Sequence, residues 1–123
     1  MKAAACRKSI PAMGTIVSID VLASPRDQER PEAAIDRALS WFHRIEACCS
    51  RFDANSELMQ LTQHPGQVTK ISPLLFELLQ FAVTVAEECS GAFDPTVGYA
   101  MEGLGFNREY WTGDPIRTAL PES

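Results

Sequence analysis

Apolar and polar residues alternate in the first element that the sequence predicts, a strand over Thr15 to Leu22. Three β-branched residues share one face and two polar residues the other, namely Val17, Ile19 and Val21 against Ser18 and Asp20. Alternation with a period of two is typical of a strand with one buried face. The polar start of the chain predicts no element, and the charged stretch from Ala23 to Arg30 predicts a solvated connection.

Three helices are predicted from apolar stripes and from the residues at their ends. The first runs from about Pro31 to Ser50, since proline suits a first helical position. The second is short, from Ser56 to Leu61, and follows polar side chains that cap helices or close turns. The third begins at Ser72-Pro73 and stops at Gly91, and its broad apolar stripe indicates burial on more than one side.

Two weaker patterns complete the predicted elements. Gln67 to Ile71 follows a Pro-Gly turn and predicts a short edge strand, and Met101 to Asn107 predicts a helical turn that ends in glycine. Residues 1–111 are interpreted as part of a single domain. Residues 112–123 show no periodicity and are interpreted as a disordered tail.

Composition and charge narrow the class of protein. A chain of 123 residues with 46% apolar and 22% charged residues is typical of one globular domain. Its net charge of -5 argues against nucleic acid as a partner, because binding phosphates requires clustered lysine and arginine. No apolar run is long enough to span a membrane, and no hydrophobic segment precedes Cys6. The sequence as written therefore predicts a cytoplasmic protein.

Familiar catalytic and metal motifs are absent from the sequence. The four cysteines include no C-x-x-C spacing, so they are interpreted as reduced thiols, and no metal site is predicted. A phosphate-binding P-loop is absent, and Gly103-Leu104-Gly105 lacks the third glycine of a dinucleotide fingerprint. Catalytic residues therefore stay unknown at this level.

The chain from Gly91 to Gly98 is predicted to be a rigid presenting loop. A glycine stop, the pair Phe93-Asp94 and a fixed proline would hold one ring and one carboxylate at a defined place. Asp94 has two interpretations: it binds a ribose or adenine group, or it only caps the turn before Thr96. Phe52 likewise is either a hydrophobic staple of the second helix, which local physics favours, or a ring that contacts a ligand.

Three separated segments carry a family resemblance: Ala12-Met13-Gly14-Thr15, Ser50-Arg51-Phe52-Asp53-Ala54-Asn55-Ser56-Glu57-Leu58, and Gly91-Ala92-Phe93-Asp94-Pro95-Thr96-Val97-Gly98. In order and spacing they resemble the N-terminal part of ApbE-like FAD:protein FMN transferases. With the intervening Val68 to Leu75 and the trailing Leu104-Gly105-Phe106, the resemblance covers about Ile10 to Trp111. It implies an α+β, ApbE-like (T-fold related) domain, of which this chain carries the N-terminal portion.

The resemblance also implies a function and a set of contacts. Such enzymes take FAD, use Mg2+, attach FMN to a threonine of an acceptor flavoprotein and release AMP; family members are often exported or membrane-anchored. By resemblance, Met13 and Phe52 contact the flavin, while Ala92, Phe93 and Asp94 help to hold the dinucleotide. A methionine and an aromatic ring suit a large planar ligand.

The family's later segments, which supply the metal ligands, have no counterpart before Ser123. Phosphoryl transfer depends on cations and positioning, so the isolated chain is not expected to be catalytic. Two alternatives therefore stand beside the transferase: a truncated, non-catalytic FAD-binding module, and a fragment without a function of its own. Self-association or marginal stability is expected from the broad apolar stripe of the third helix.

Overall fold

A computed structural model describes residues 4–109 and 112–115 of the chain. Its internal contacts divide the chain into two units, Met1–Glu46 and Ala47–Ser123, and each is described by itself. The elements are, in order, β1 Ala4–Ala12, β2 Thr15–Ala23, α1 Pro31–Cys49, α2 Glu57–Thr62, α3 Pro73–Glu88 and α4 Gly98–Gly103. This combination of helices with a small sheet is an α+β fold, as the sequence predicts.

The first unit contains an antiparallel hairpin of β1 and β2. Two cross-strand pairs on its outer face fix the register. Arg7 lies opposite Asp20, with Nε and Oδ1 3.6 Å apart, and the hydroxyls of Ser9 and Ser18 are 2.7 Å apart. Pairs of this kind stabilise one register over its neighbours.

The alternation predicted for β2 is confirmed, but strand β1 was missed. Every second residue of β1 belongs to the half-buried face, yet Lys8 interrupts that face and conceals the alternation. The Lys8 ammonium pairs with Asp36 of α1, which explains a lysine at that position and raises its pKa. Pairing with β2, rather than local periodicity, makes this segment a strand.

Helix α1 confirms the predicted first helix to within one residue. Its residues Ile35 and Leu39 are buried and form the core of the first unit together with Ala12 and Ala23 of the hairpin strands. Apolar residues four apart in the sequence lie on the same side of a helix, and for that reason the sequence pattern predicted this helix.

Helices α2 and α3 of the second unit each follow a serine that serves as the N-cap. Ser56 accepts a hydrogen bond from the Met59 amide, and Ser72 accepts one from the Leu75 amide, each over 3.2 Å. The Ser72 N-cap is as the sequence predicts, and Ser56 is one of the three polar residues that the sequence offered as a cap or turn residue for α2. Met59 and Leu75 are themselves buried, so each cap also positions a core residue.

The weaker predictions fare less well. Gln67 to Ile71 forms no strand; among the described residues no strand pairs with it, and Val68 is fully exposed. The last helical turn is α4, which begins at Gly98 rather than Met101. Of the proposed tail, residues 112–115 contain a turn and a bridge between Arg108 and Pro115, and residues 116–123 lie outside the described part.

Helix α3 has an exposed apolar side. Phe76, Leu79 and Val83 line a shallow groove with Gln80 and Thr84, and Phe81 is 69% exposed. The breadth of this stripe therefore does not correspond to burial on more than one side within the described residues. Within the described part of the chain, none of the helices combines the length and the apolar character needed to cross a membrane.

Candidate functional site

Met13 stands at the tip of the hairpin in the first unit. Met13 and Gly14 have φ values of 55° and 71°. Positive φ at both positions is typical of a type I′ turn, which connects two hairpin strands through a two-residue loop. The Met13 amide donates to Oε1 of Glu46 on α1 over 2.9 Å. This bond helps to hold Met13 in the left-handed region of backbone conformation, which non-glycine residues rarely adopt. Met13 is 47% exposed.

The turn that carries Phe52 spans residues 50–56 and is held by its own polar groups; we call it the Phe52 turn. Ser56 Oγ donates to the Ser50 carbonyl over 2.7 Å, and the Asn55 amide donates to Asp53 Oδ1 over 2.8 Å. Because Ser56 is the N-cap of α2, the staple position before it belongs to Asn55. Phe52 therefore does not close the helix, and its ring is left more than one-third exposed.

The Gly91–Gly98 loop starts from a Schellman motif at the end of α3. The Ser90 amide donates to the Glu87 carbonyl over 3.2 Å, and the Gly91 amide donates to the Ala86 carbonyl over 2.9 Å. Ser90 takes a left-handed conformation with φ 52°, and Gly91 follows with φ 82°. The helix stop predicted at Gly91 is thus shared with Ser90.

Within this loop, backbone amides are bonded to side chains. The Phe93 amide donates to Sγ of Cys89 over 3.1 Å. Oδ1 of Asp94 accepts from the Thr96 amide over 2.8 Å and from the Thr96 hydroxyl over 2.7 Å. Both hydrogen bonds from Thr96 lower the pKa of Asp94, and the hydroxyl bond contributes more than the amide bond. Thr96 is therefore a local hydroxyl partner, as predicted, and Asp94 does cap the turn.

Ala92, Phe93 and Asp94 are exposed, so the loop presents them to solvent. The described residues give Oδ2 of Asp94 no hydrogen-bond partner. One carboxylate oxygen thus closes the turn while the other remains available to a ligand. The two interpretations of Asp94 are compatible in this geometry.

Arg51 connects the Phe52 turn with the far end of the Gly91–Gly98 loop. Its Nη2 donates to the Gly98 carbonyl over 3.4 Å and lies 3.7 Å from Oε1 of Glu102. No hydrogen bond, ion pair or ring contact among the described residues joins Phe52 directly to Phe93 or Asp94. Sequence reasoning missed Arg51 because its partners lie about fifty residues away in the chain.

A second connection, also missed, joins α2 to the start of α3. The Ser72 amide and hydroxyl both donate to the Glu57 carboxylate, the hydroxyl over 2.7 Å. These bonds, the backbone one foremost, lower the pKa of Glu57. The capping pattern pointed to Ser72 as an N-cap, but no local signal showed that a glutamate fifteen residues earlier would orient it.

The cysteines and acidic groups do not assemble a metal site in the described residues. All four cysteines are free thiols. The pKa of the buried Cys48 thiol is raised to about 12, chiefly by desolvation and secondly by its interaction with the neighbouring Cys49. Residues 4–109 and 112–115 contain no group of three or more His, Cys, Asp and Glu side chains placed to hold a metal ion. No step of a reaction is therefore assigned to Mg2+ on these residues.

The described residues form an α+β fold in which the hairpin turn, the Phe52 turn and the Gly91–Gly98 loop each expose side chains. The ApbE family model matches residues 13–122, and the chain belongs to that family. The solved structure of the flavin transferase ApbE from Vibrio cholerae aligns with a TM-score of 0.73 at 21% sequence identity, which shows the shared fold. The alignment covers 98% of this chain and 37% of that one. Curated protein sequences give no match.

Proposed function

We propose that this chain forms the FAD-binding part of an FAD:protein FMN transferase. The observation that carries the proposal is the family match over residues 13–122, which contains all five residues that the resemblance assigns to FAD: Met13, Phe52, Ala92, Phe93 and Asp94. All except the alanine carry a group suited to a flavin dinucleotide. The ring and thioether offer apolar contact to the isoalloxazine, and the carboxylate accepts from sugar or base hydroxyl and amino groups.

In the complete reaction, FMN is transferred from FAD to a threonine of an acceptor flavoprotein and AMP leaves. A bound Mg2+ would neutralise charge on the phosphates, but no group of the described residues is placed to hold it. The contribution of this chain is to bind and orient FAD. Positioning is one of the two main contributions that a protein makes to phosphoryl transfer, so binding and orienting FAD is a defined role for this chain.

The second candidate is a non-catalytic FAD-binding module. It is favoured by one observation, that the described residues hold no metal-binding cluster. The two candidates share the binding step and differ only in transfer, so they are separated by two successive experiments.

The binding experiment follows the quenching of FAD fluorescence as the 123-residue chain is added. We expect saturable quenching, and we expect Phe52→Ala and Phe93→Ala each to raise the Kd about 3–10-fold through loss of ring contact. Phe106→Ala is the matched control, since this exposed aromatic lies outside the assigned residues. Absence of quenching at high micromolar chain overturns both candidates.

The transfer experiment mixes the chain with FAD, Mg2+ and a threonine-bearing acceptor protein and measures the acceptor's intact mass. An added FMN mass that requires both FAD and Mg2+ supports the transferase for this chain. Saturable FAD binding with an unchanged acceptor mass overturns transfer by this chain alone and leaves FAD binding as its function.

A further inference from the structure

The Arg51 guanidinium connects its own segment, the Phe52 turn, with the Gly91–Gly98 loop, and the family resemblance assigns residues of both to FAD. Arg51 follows Ser50 in the Phe52 turn, and its Cζ lies 5.5 Å from the centroid of the Phe52 ring. The same side chain reaches the Gly98 carbonyl at the end of the Gly91–Gly98 loop and the Glu102 carboxylate on α4. Arg51 and Phe52 are neighbours in the sequence, but local turn chemistry does not require the other two contacts, because they join residues 47 and 51 positions apart.

The surroundings of this guanidinium favour a fixed side chain. The side chains of Arg51 and Glu102 are 27% and 13% exposed, so salt screens their attraction less than that of a surface pair. A planar guanidinium donates in several directions and stacks on a ring at the same time, whereas an ammonium on a flexible stem is a point charge. Lysine would therefore preserve only part of the arrangement.

We propose that Arg51 is a positioning residue of the FAD-binding surface. It holds the Phe52 turn to the start of α4 and thereby fixes the end of the Gly91–Gly98 loop. The inference rests on the proposed function, since it assigns Phe52 and that loop to one ligand. The proposal does not include a direct contact between Arg51 and FAD.

The test compares Arg51→Met and Arg51→Lys with the unaltered chain. Arg44→Met is the matched control, because the Arg44 guanidinium also stacks on a ring, 4.1 Å from the Trp41 centroid, but belongs to the first unit. Two quantities are measured: the Kd for FAD from fluorescence quenching, and amide hydrogen exchange resolved by peptide. We expect Arg51→Met to raise the Kd about 5–20-fold, Arg51→Lys to raise it less, and Arg44→Met to leave it unchanged.

Hydrogen exchange tests the inference without FAD. Arg51→Met should speed exchange in the peptides that cover the Phe52 turn and residues 92–102, while the peptides of α3 keep their protection. A uniform rise over the whole second unit would mean that Arg51 only stabilises the fold and would overturn the positioning role. Unchanged exchange in residues 92–102 would overturn it as well.

The failure of this inference and the failure of the proposed function give different results. If the unaltered chain binds no FAD, the proposed function fails, and the exchange pattern alone decides whether Arg51 orders the loop. If the unaltered chain binds FAD and Arg51→Met binds it equally well, the positioning role fails while the proposed function stands. A double variant with Phe52→Ala adds a further check: its Kd should be lower than additive effects predict, because Arg51 acts partly through that ring.

Discussion

Asp94 shows how one residue can serve the fold and a ligand at the same time. Its Oδ1 accepts both hydrogen bonds from Thr96, and its Oδ2 has no partner among the described residues. The sequence presented these two roles as alternatives, because a capping aspartate and a binding aspartate look identical in a string of letters. Only coordinates distinguish one carboxylate oxygen from the other.

Asparagine and alanine at position 94 separate the two roles. Asparagine keeps a carbonyl oxygen for Thr96 but places a donor where the second oxygen was, so it preserves the turn and removes the acceptor. We expect Asp94→Asn and Asp94→Ala to raise the Kd for FAD by a similar factor, about 5–10-fold. Only Asp94→Ala should also lower the melting temperature. A normal Kd for Asp94→Asn would leave Asp94 as a turn cap alone.

At the scale of elements, the sequence predicted those whose signals are local. Helices α1, α2 and α3 have apolar stripes and recognisable first residues, and each was found within three residues of its observed bounds. Strand β1 was missed and a strand over Gln67 to Ile71 was wrongly predicted for the same reason. A strand exists only where a second backbone pairs with it, and that partner is invisible to periodicity.

The candidate site could be predicted only in part. Local signals singled out Phe52 and the Gly91–Gly98 loop, whereas their assignment to FAD, together with Met13, comes from the family resemblance and stays a prediction. The residues that hold these segments, Glu46 and Arg51, act through long-range contacts. Turn residues can be read from sequence, whereas the side chains that brace a turn from elsewhere cannot.

The C-terminal end of α3 gives a prediction about backbone strain. Ser90 occupies a left-handed conformation in which glycine has no steric penalty. Ser90→Gly should raise the free energy of unfolding by about 0.5–1 kcal/mol, and Gly91→Ala should lower it by about 1 kcal/mol. Chemical denaturation at constant m-value measures both. Equal destabilisation by the two variants would contradict the observed loop geometry.

The Glu57–Ser72 connection gives a prediction about pH. The pKa of Glu57 is lower in the folded chain than its ordinary value of 4.5, so its ionised form is stabilised by folding. That contribution is complete above the ordinary pKa and is lost as the pH falls through the lowered folded value. Glu57→Gln should therefore reduce the melting temperature by roughly 2–6 °C near neutral pH.

The difference between the unaltered chain and Glu57→Gln should shrink progressively as the pH falls below about 4.5. Thermal unfolding followed by circular dichroism across that range measures it. Glu77→Gln, at an exposed position of α3, serves as the control and should leave the melting temperature near neutral pH unchanged. A difference that stays constant down to low pH would mean that the Glu57 charge does not support the cap.

At the scale of the whole molecule, the apolar side of α3 has the largest consequence. The groove lined by Phe76, Leu79 and Val83 is open to solvent, and water contact with such a surface is unfavourable. The sequence predicted self-association or marginal stability from the breadth of this stripe, and that prediction is still to be tested in solution.

The double variant Phe76→Glu/Val83→Glu is designed to test it. We expect the unaltered chain to self-associate in a concentration-dependent manner and the double variant to be monomeric, since two carboxylates make burial of the groove costly. Light scattering measures the mass, and Trp41→Glu, an exposed aromatic on α1, is the control. A monomeric unaltered chain with a sharp cooperative melt would contradict the prediction.

The thiol of Cys89 has a practical consequence for anyone who labels this protein. It is exposed, it accepts the Phe93 amide hydrogen, and it approaches the Ala86 carbonyl at 3.8 Å. A maleimide or iodoacetamide would add bulk to the very sulfur atom that the loop backbone uses as an acceptor. A dye attached there would therefore report on a loop that it had itself displaced, and a sound labelling strategy replaces Cys89 with serine and places the reporter elsewhere.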